Sequence, residues 1–153
     1  VQAKTGHAFV KQVMRKSDAV YGGEMSAHHY FRDFAYCDSG MIPWLVSCEL
    51  MGRSGKPMSA LLAERMAAYP SSGETNFTLQ DPQSSIAAVL GHYEPLSLHK
   101  DETDGMSLEF DNWRFNLRAS NTEPVVRLNV ESSGDPDLVA IKLAEIKTLL
   151  NSA

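Results

Sequence analysis

The chain has 153 residues, of which 43% are hydrophobic and 22% are charged, and its formal net charge is -5. These proportions are typical of folded globular proteins and argue against an intrinsically disordered chain. A general binder of nucleic acid needs a clustered surplus of Lys and Arg, so the acidic balance argues against that class. Any anionic ligand must therefore be held by local groups.

No stretch of the sequence approaches the roughly 18 uninterrupted apolar residues that a membrane-spanning helix requires. The segment Val1–Gln12 also lacks the pattern of a secretory signal peptide. The two cysteines, Cys37 and Cys48, form neither a disulfide framework nor a zinc-like spacing, so we predict reduced, partly buried thiols. We expect a cytoplasmic protein without a membrane partner.

The first part of the chain predicts helices alternating with short strands. Its opening residues, Val1–Lys4, are typical of the end of a strand, which suggests that the sequence begins inside a domain. Thr5 is a plausible N-cap for a helix whose apolar residues recur at helical spacing. In chain order we then predict a short strand over 19–23, an apolar stretch over 30–36, and helices over 43–51 and 58–68.

After a candidate linker at residues 69–73, the pattern changes to that of a small α+β domain. Two Asp-Pro pairs, beginning at Asp81 and Asp135, each supply an N-cap followed by a proline at the first helical position. Two alternating segments joined at Asp111 predict a hairpin with one buried face. The last segment places apolar side chains at the spacing of a helix that lies on a sheet, at Val139, Leu143, Ile146 and Leu150.

A polar loop interrupts two strand patterns near the end of the hairpin. Arg118 can donate two parallel hydrogen bonds to a phosphate, and the hydroxyls of Ser120 and Thr122 can add to them. Backbone N–H groups of such a turn also favour an anion. The alternative is an ordinary turn with an incidental arginine, because Ser and Asn121 are common turn residues.

A second polar segment follows the glycine pair Gly22 and Gly23. Glu24 and Ser26 can bind neighbouring sugar hydroxyls, since a carboxylate accepts from O–H groups and a serine both donates and accepts. His28 can supply a proton near a reacting oxygen. The alternative is a strand end with a solvated glutamate and one packed histidine.

A zinc site is a competing interpretation of four of these side chains, because imidazole and carboxylate groups both bind zinc. It would use His7, Glu24, His28 and His29, but adjacent residues of an extended segment point to opposite sides, which disfavours it. His7 also lies in the first turn of the predicted helix, where N–H groups and the helix dipole favour an anion. The alternative for His7 is a simple exposed histidine.

Taken together, these segments resemble the α-D-phosphohexomutase family, and in particular its bacterial phosphomannomutase/phosphoglucomutase branch. In that family a Gly-Glu-Met-Ser-Gly loop of the third domain grips sugar hydroxyls. It maps onto Gly23, Glu24, Met25 and Ser26, with Ala27 in place of the last glycine. The family's Thr-Gly-His element maps onto the residues that end at His7.

The phosphate loop of the family's fourth domain, Arg-x-Ser-Asn-Thr, maps onto the chain without a departure, at Arg118, Ser120, Asn121 and Thr122. The resemblance therefore implies an α/β partial domain, the second half of domain 3, over residues 1–69. It implies an α+β C-terminal domain, domain 4, over residues 74–153, with an antiparallel sheet and two helices on one face.

The resemblance implies reversible conversion of mannose 6-phosphate into mannose 1-phosphate, and of glucose phosphates in some members, in support of GDP-mannose synthesis. A phosphoserine in the first domain would donate the phosphoryl group, a hexose 1,6-bisphosphate would be the intermediate, and Mg²⁺ would be held by the second domain. Neither the phosphoserine loop nor the metal loop occurs in this sequence.

The resemblance thus makes the missing N-terminal domains and a phosphohexose the expected partners, and it gives this chain no metal site. Arg118 would hold the non-reacting phosphate, Glu24 and Ser26 would bind sugar hydroxyls, and His28 would assist proton movement. The alternative is a stand-alone sugar-phosphate or anion-binding module without catalysis. We expect the isolated chain to be inactive.

Overall fold

The structure is a computed structural model that describes residues 1–24, 26–119 and 125–152. It divides the chain into two compact units, Val1–Leu62 and the part from Ala63 onward. Ser120, Asn121 and Thr122 lie outside the described residues, as does Met25. None of the described helices is long and apolar enough to cross a membrane.

The first unit begins with helix α1 (His7–Ser17), which packs on a small antiparallel sheet. The sheet has the order β1 (Tyr21–Gly23), β2 (His29–Phe31) and β3 (Cys37–Asp38), and a short 3-10 turn joins β2 to β3. Val10 and Met14 of α1 and Tyr30 of β2 form the buried core of this unit. The contacts hold the N-terminus of α1 beside the turn between β1 and β2.

The predicted N-cap of α1 was wrong. Its N-cap is Gly6, which makes no side-chain capping bond, and the Gly6 carbonyl accepts from the N–H groups of Phe9 and Val10 at 3.0 and 3.1 Å. Gly6 has a φ of 126°, which side-chain-bearing residues rarely adopt, so glycine suits this position better than threonine does.

Two further helices follow, α2 (Met41–Ser54) and α3 (Met58–Ala68), and α2 extends beyond both ends of its predicted range. Several large apolar side chains of α2 are exposed: Met41, Trp44, Leu45, Val46 and Leu50. Cys37 and Cys48 are both unbridged, as predicted, but both are exposed, so the prediction that they are partly buried was wrong.

The second unit contains a five-stranded antiparallel sheet in the order β4-β8-β7-β6-β5. Its strands are β4 (Thr75–Thr78), β5 (His99–Asp101), β6 (Met106–Glu109), β7 (Trp113–Ala119) and β8 (Val125–Ser132). Helices α4 (Pro82–Tyr93) and α5 (Pro136–Asn151) contact each other and the sheet, so both lie on one face. This confirms the predicted α+β architecture.

Both helix starts in the second unit follow from the predicted caps. The Asp81 carboxylate accepts from the N–H groups of Gln83 and Ser84, and that of Asp135 accepts from Leu138 N–H. The predicted apolar stripe of α5 faces the core: Val139, Ile146 and Leu150 are buried and Leu143 packs against them.

The segment predicted as a linker lies within the second unit and is hydrogen-bonded to strand β8. The N–H of Ser72 donates to the Val130 carbonyl at 2.8 Å, and the N–H of Ser132 donates to the Pro70 carbonyl at 3.0 Å. The Ser72 hydroxyl also accepts from Val130 N–H. Residues 70–72 therefore run alongside β8 before β4 begins.

Candidate functional site

A polar pocket of about 290 Å³ lies within the first unit, between the N-terminus of α1 and the three-stranded sheet. This volume is just below the usual range for small-molecule sites, about 300 to 1,000 Å³. The pocket is lined by Gly6, His7, Lys11, Glu24, Ser26, His28, Tyr30 and Asp38. It therefore brings together all four site residues that the sequence predicted in this unit.

The Glu24 carboxylate is held in place from two directions. One oxygen, Oε2, accepts from the backbone N–H of Gly6 at 2.9 Å, and the other, Oε1, accepts from the Tyr30 hydroxyl. Each carboxylate oxygen can accept more than one hydrogen bond, so Glu24 keeps acceptor capacity toward the pocket. The carboxylate is positioned before any ligand binds.

Tyr30 contributes to the site from inside the core. Its side chain is fully buried, and burial together with its hydrogen bond to Glu24 raises the pKa of the phenol well above its usual value. The hydroxyl therefore remains a hydrogen-bond donor throughout the physiological pH range. The sequence analysis did not identify this residue as part of the site.

His28 is paired with an acidic residue that the sequence analysis also missed. Its Nδ1 lies 2.6 Å from Oδ2 of Asp38, and the other Asp38 oxygen, Oδ1, accepts from the backbone N–H of His29 at 2.9 Å. The hydrogen bond from His28 and that from His29 lower the pKa of Asp38 below its usual value. Asp38 is thus a carboxylate acceptor at neutral pH.

His29 has different partners from His28. Its Nδ1 lies 2.7 Å from the Tyr21 hydroxyl, and its ring stacks on that of Tyr21. Among the described residues, no group of three or more His, Cys, Asp or Glu side chains is arranged to hold a metal ion. The zinc interpretation therefore has no support from the geometry.

The loop before His28 adopts a tight conformation. The N–H of Glu24 donates to the His28 carbonyl, and that of Ala27 donates to the Glu24 carbonyl, both at 3.0 Å. Ala27, at the position where the family resemblance gives glycine, has a φ of 63°. An alanine in this left-handed region costs about 1 kcal/mol, so the loop keeps a glycine-like conformation at a small energetic cost.

His7 and Lys11 of α1 also line the pocket. His7 is the first residue of α1, where backbone N–H groups favour an anion. Lys11, one turn later, adds a positive charge that the sequence analysis did not assign to the site. The pocket wall thus combines carboxylate, hydroxyl and imidazole groups with the ammonium group of Lys11.

Arg118 lies in the second unit, near the end of β7. Its Nη1 is 2.9 Å from Oδ2 of Asp104, and only a quarter of its side chain is exposed. Gly105 lies close against the backbone of β7 at this point. A Cβ on Gly105 would lie 2.7 Å from the Leu117 carbonyl oxygen and 2.9 Å from Arg118 Cβ. The turn at Asp104 and Gly105 therefore packs directly against the arginine.

A second arginine stands opposite Arg118 across the β7–β8 pair. Arg127 is the direct partner of Arg118 in the antiparallel register, so both side chains leave the same face of the sheet. Within the described part of the chain, Arg127 Nε is buried without a hydrogen-bond partner, and Glu74 lies 3.8 Å away. Arg127 was not among the predicted site residues, because only the strand register brings it beside Arg118.

Two family models match successive parts of this chain. A family model described as phosphoglucomutase/phosphomannomutase, alpha/beta/alpha domain III, matches residues 1–69. A second, described as phosphoglucomutase/phosphomannomutase, C-terminal domain, matches residues 74–148. A crystal structure of a phosphoglucomutase/phosphomannomutase family protein from Burkholderia thailandensis matches with a TM-score of 0.74 and 25% identity, covering 98% of this chain and 32% of that one.

Curated relatives are more similar in sequence. A phosphomannomutase of Salmonella montevideo is 59% identical over 152 residues, which cover 99% of this chain and 33% of that protein. Phosphohexose mutases of Xanthomonas campestris are 55% identical over 150 residues, covering 98% of this chain and 34% of theirs. The chain spans about a third of the length of these relatives. It belongs to the phosphoglucomutase/phosphomannomutase family and matches the family's domain III and C-terminal domain.

Proposed function

We propose that this chain is the sugar-binding and phosphate-binding part of a phosphomannomutase. The observation that carries the proposal is the Glu24 carboxylate, which Gly6 and Tyr30 hold in a polar pocket of the first unit. Preorganised acceptors of this kind bind hydroxyl groups without having to reorganise first. The family matches and the names of the relatives support a phosphorylated hexose as the ligand.

The first unit would bind the sugar ring. Glu24 and Ser26 would bind two ring hydroxyls, and His7 with Lys11 would attract the negative charge of a phosphate toward the pocket. His28 would accept the proton of the reacting sugar hydroxyl while the oxygen of that hydroxyl forms a bond to phosphorus. The electron pair of the broken phosphorus–oxygen bond would then go to the donor oxygen, a serine of the rest of the enzyme.

The second unit would hold the phosphate that does not react. Arg118 would supply charge-assisted hydrogen bonds to this phosphate from its guanidinium group, which carries five N–H donors. We include Ser120, Asn121 and Thr122 in this assignment because the family resemblance does; they lie outside the described residues.

The family resemblance also implies Mg²⁺ and a hexose 1,6-bisphosphate. The described residues contain no group that fits a metal ion, so we assign no residue of this chain to Mg²⁺. The metal and the phosphoserine would both come from the N-terminal domains, which are the expected partners. A cytoplasmic location remains a prediction.

A chimera tests the proposal directly. This chain would replace the matching third of the Escherichia coli phosphomannomutase, to which it is 59% identical over 151 residues. We expect the chimera to convert mannose 1-phosphate into mannose 6-phosphate in a coupled assay with Mg²⁺ and the bisphosphate activator. We expect the isolated chain to give no turnover above a blank, because the phosphoryl donor is absent.

Two outcomes would contradict the proposal. A folded but inactive chimera, beside an active natural enzyme prepared in parallel, would show that this chain lacks the required binding groups. Turnover by the isolated chain would show that it carries a phosphoryl donor of its own.

A further inference from the structure

We propose that Asp38 is a positioning residue that fixes the tautomer and orientation of His28, so that Nε2 of His28 is the atom that exchanges the proton with the sugar. This inference rests on the proposed function, because it names a further residue of the same site. It follows from the arrangement of Asp38 between His28 and the backbone of His29. Nothing in the sequence spacing alone indicates this arrangement.

The sheet register brings the two side chains together. β2 pairs with β3 in antiparallel register, with Tyr30 opposite Asp38, so Asp38 lies beside the residues that precede Tyr30. Its two oxygens then face two different donors, Nδ1 of His28 at 2.6 Å and N–H of His29 at 2.9 Å. The hydrogen bond from the His29 N–H holds the Asp38 carboxylate in place, and the carboxylate in turn orients the His28 imidazole.

The tautomer of His28 follows from the chemistry of this contact. A carboxylate can only accept hydrogen bonds, so the nitrogen that faces it must carry the proton. In the neutral imidazole, Nδ1 is then the N–H group and Nε2 is the acceptor. Nε2 has no hydrogen-bond partner among the described residues, and about half of the His28 side chain is exposed, so this atom is accessible to a ligand.

The charged and titratable groups around His28 come from three parts of the first unit. Asp38 faces it from β3, Glu24 lies on the loop that precedes it, and His7 and Lys11 face the same pocket from α1. Of these groups, Asp38 is the one that contacts the imidazole. A change at Asp38 should therefore alter His28 more directly than a change elsewhere in the pocket.

The variant Asp38→Asn tests the inference with little change in shape. The N–H of His29 requires an acceptor, so the new amide oxygen should keep that bond, and the amide NH₂ should face His28 Nδ1. Nδ1 must then accept, which moves the imidazole proton to Nε2. In a serine protease, an aspartate-to-asparagine change that gives the catalytic histidine the wrong tautomer lowers kcat by about 10⁴-fold.

The first measurement is made on this chain itself. Long-range ¹⁵N–¹H NMR spectra at a pH where the ring is neutral distinguish a protonated ring nitrogen from an unprotonated one. We expect the Nδ1–H form of His28 to predominate in the natural sequence and the Nε2–H form in Asp38→Asn. The matched control is Asp33→Asn, which removes an exposed carboxylate from the same connection between β2 and β3 and should leave the tautomer unchanged.

The second measurement uses the chimera with the Escherichia coli enzyme. We expect Asp38→Asn to lower kcat by about 100-fold, within the usual range for lost acid–base catalysis, while KM changes less than about threefold. Because Asp38 acts through His28, adding Asp38→Asn to a His28→Ala chimera should cause little further loss.

The results separate this inference from the proposed function. An Nδ1–H tautomer that persists in Asp38→Asn would overturn the positioning role, whatever the chimera does. So would a variant whose KM rises while kcat is unchanged, because Asp38 would then bind the sugar directly. An inactive chimera of the natural sequence would contradict the proposed function but leave the NMR result to decide the role of Asp38.

Discussion

The hydroxyl of Tyr30, a fully buried side chain of β2, donates a hydrogen bond to Oε1 of Glu24 in the loop that precedes the strand. The other Glu24 oxygen accepts from Gly6, immediately before α1. The carboxylate therefore links the helix, the loop and the sheet of the first unit. Its position depends on the core as much as on the loop.

Removing the Tyr30 hydroxyl should weaken this link without leaving a cavity. We predict that Tyr30→Phe lowers the free energy required to open strands β1 and β2 by about 1.5 kcal/mol. The reason is that the Glu24 carboxylate, a charged acceptor, loses the hydrogen bond from the Tyr30 hydroxyl. Hydrogen exchange of the backbone amides in these strands measures the change within the first unit.

The control for this variant is Tyr36→Phe. Tyr36 packs against the same core, and its hydroxyl makes no hydrogen bond within the described residues. Its exchange rates should stay within error of the natural sequence. Equal effects of the two variants would show that the Tyr30 hydroxyl does not hold Glu24.

The turn at Gly105, which packs against Arg118, leads to a prediction about backbone conformation. Gly105 has a φ of 75°, and a Cβ there would lie 2.7 Å from the Leu117 carbonyl oxygen. We predict that Gly105→Ala destabilises the second unit by at least about 1 to 2 kcal/mol, because the left-handed conformation and the contact both penalise a side chain. Urea denaturation measures the loss.

A second glycine provides a control of opposite sign. Gly91 lies within α4, and nothing stands within 4 Å of the place where its Cβ would be. Gly91→Ala should therefore stabilise the unit by about 0.5 to 1 kcal/mol, since alanine favours a helix. Destabilisation of similar size in both variants would contradict the account of the turn.

Glu145 makes the stability of the second unit depend on pH. Hydrogen bonds from Lys142 and then from Tyr93 lower the pKa of this carboxyl below its usual value. The folded state therefore favours the carboxylate. The stabilisation that this carboxylate provides is complete above the pKa that the group has in the unfolded chain, about 4.3. That stabilisation is lost as the pH falls below this value.

We predict that the urea midpoint of Glu145→Gln falls less steeply than that of the natural sequence as the pH is lowered from about 5 to about 3. Trp113 fluorescence reports on this unit when Trp44, an exposed residue of the first unit, is changed to Phe. The control Glu49→Gln alters an exposed carboxylate of α2 and should leave the profile unchanged. A profile of natural steepness in Glu145→Gln would contradict the prediction.

Much of the second unit could be predicted from local sequence. The capping aspartates, the alternating strands of the hairpin and the apolar stripe of α5 each depend on neighbours a few residues away. Strand β5 (His99–Asp101) was not predicted, because it is a polar edge strand without an alternating apolar pattern.

The site was predictable only in part. Glu24, Ser26, His7 and His28 carry reactive groups in a recognisable order, and the structure places them around one pocket. Tyr30 and Asp38 were missed because their roles arise from sheet register and burial, which no short motif encodes. The N-cap of α1 is Gly6 and not Thr5, and the Gly6 N–H donates to Glu24, 18 residues further along the chain, a contact that no local pattern predicts.

In the proposed function, Glu24 binds the sugar and Arg118 binds the phosphate. In the chimera, Arg118→Ala should cost about 2 to 4 kcal/mol of phosphosugar binding, because it removes charge-assisted bonds to a phosphate. Mannose 1-phosphate and glucose 1-phosphate should be affected similarly. The control is Arg114→Ala in the same strand, which lies 3.8 Å from both Glu109 and Glu131 and has no assigned role in the site.

The most direct measurement is kcat/KM for both sugar phosphates together with inhibition by inorganic phosphate, in Arg118→Ala, Glu24→Ala and the control. We expect Arg118→Ala to lower both kcat/KM values by about 30-fold to 1,000-fold and to weaken phosphate inhibition. We expect Glu24→Ala to affect the two sugars unequally and to leave phosphate inhibition intact. Unchanged phosphosugar turnover and phosphate inhibition in Arg118→Ala would contradict the account.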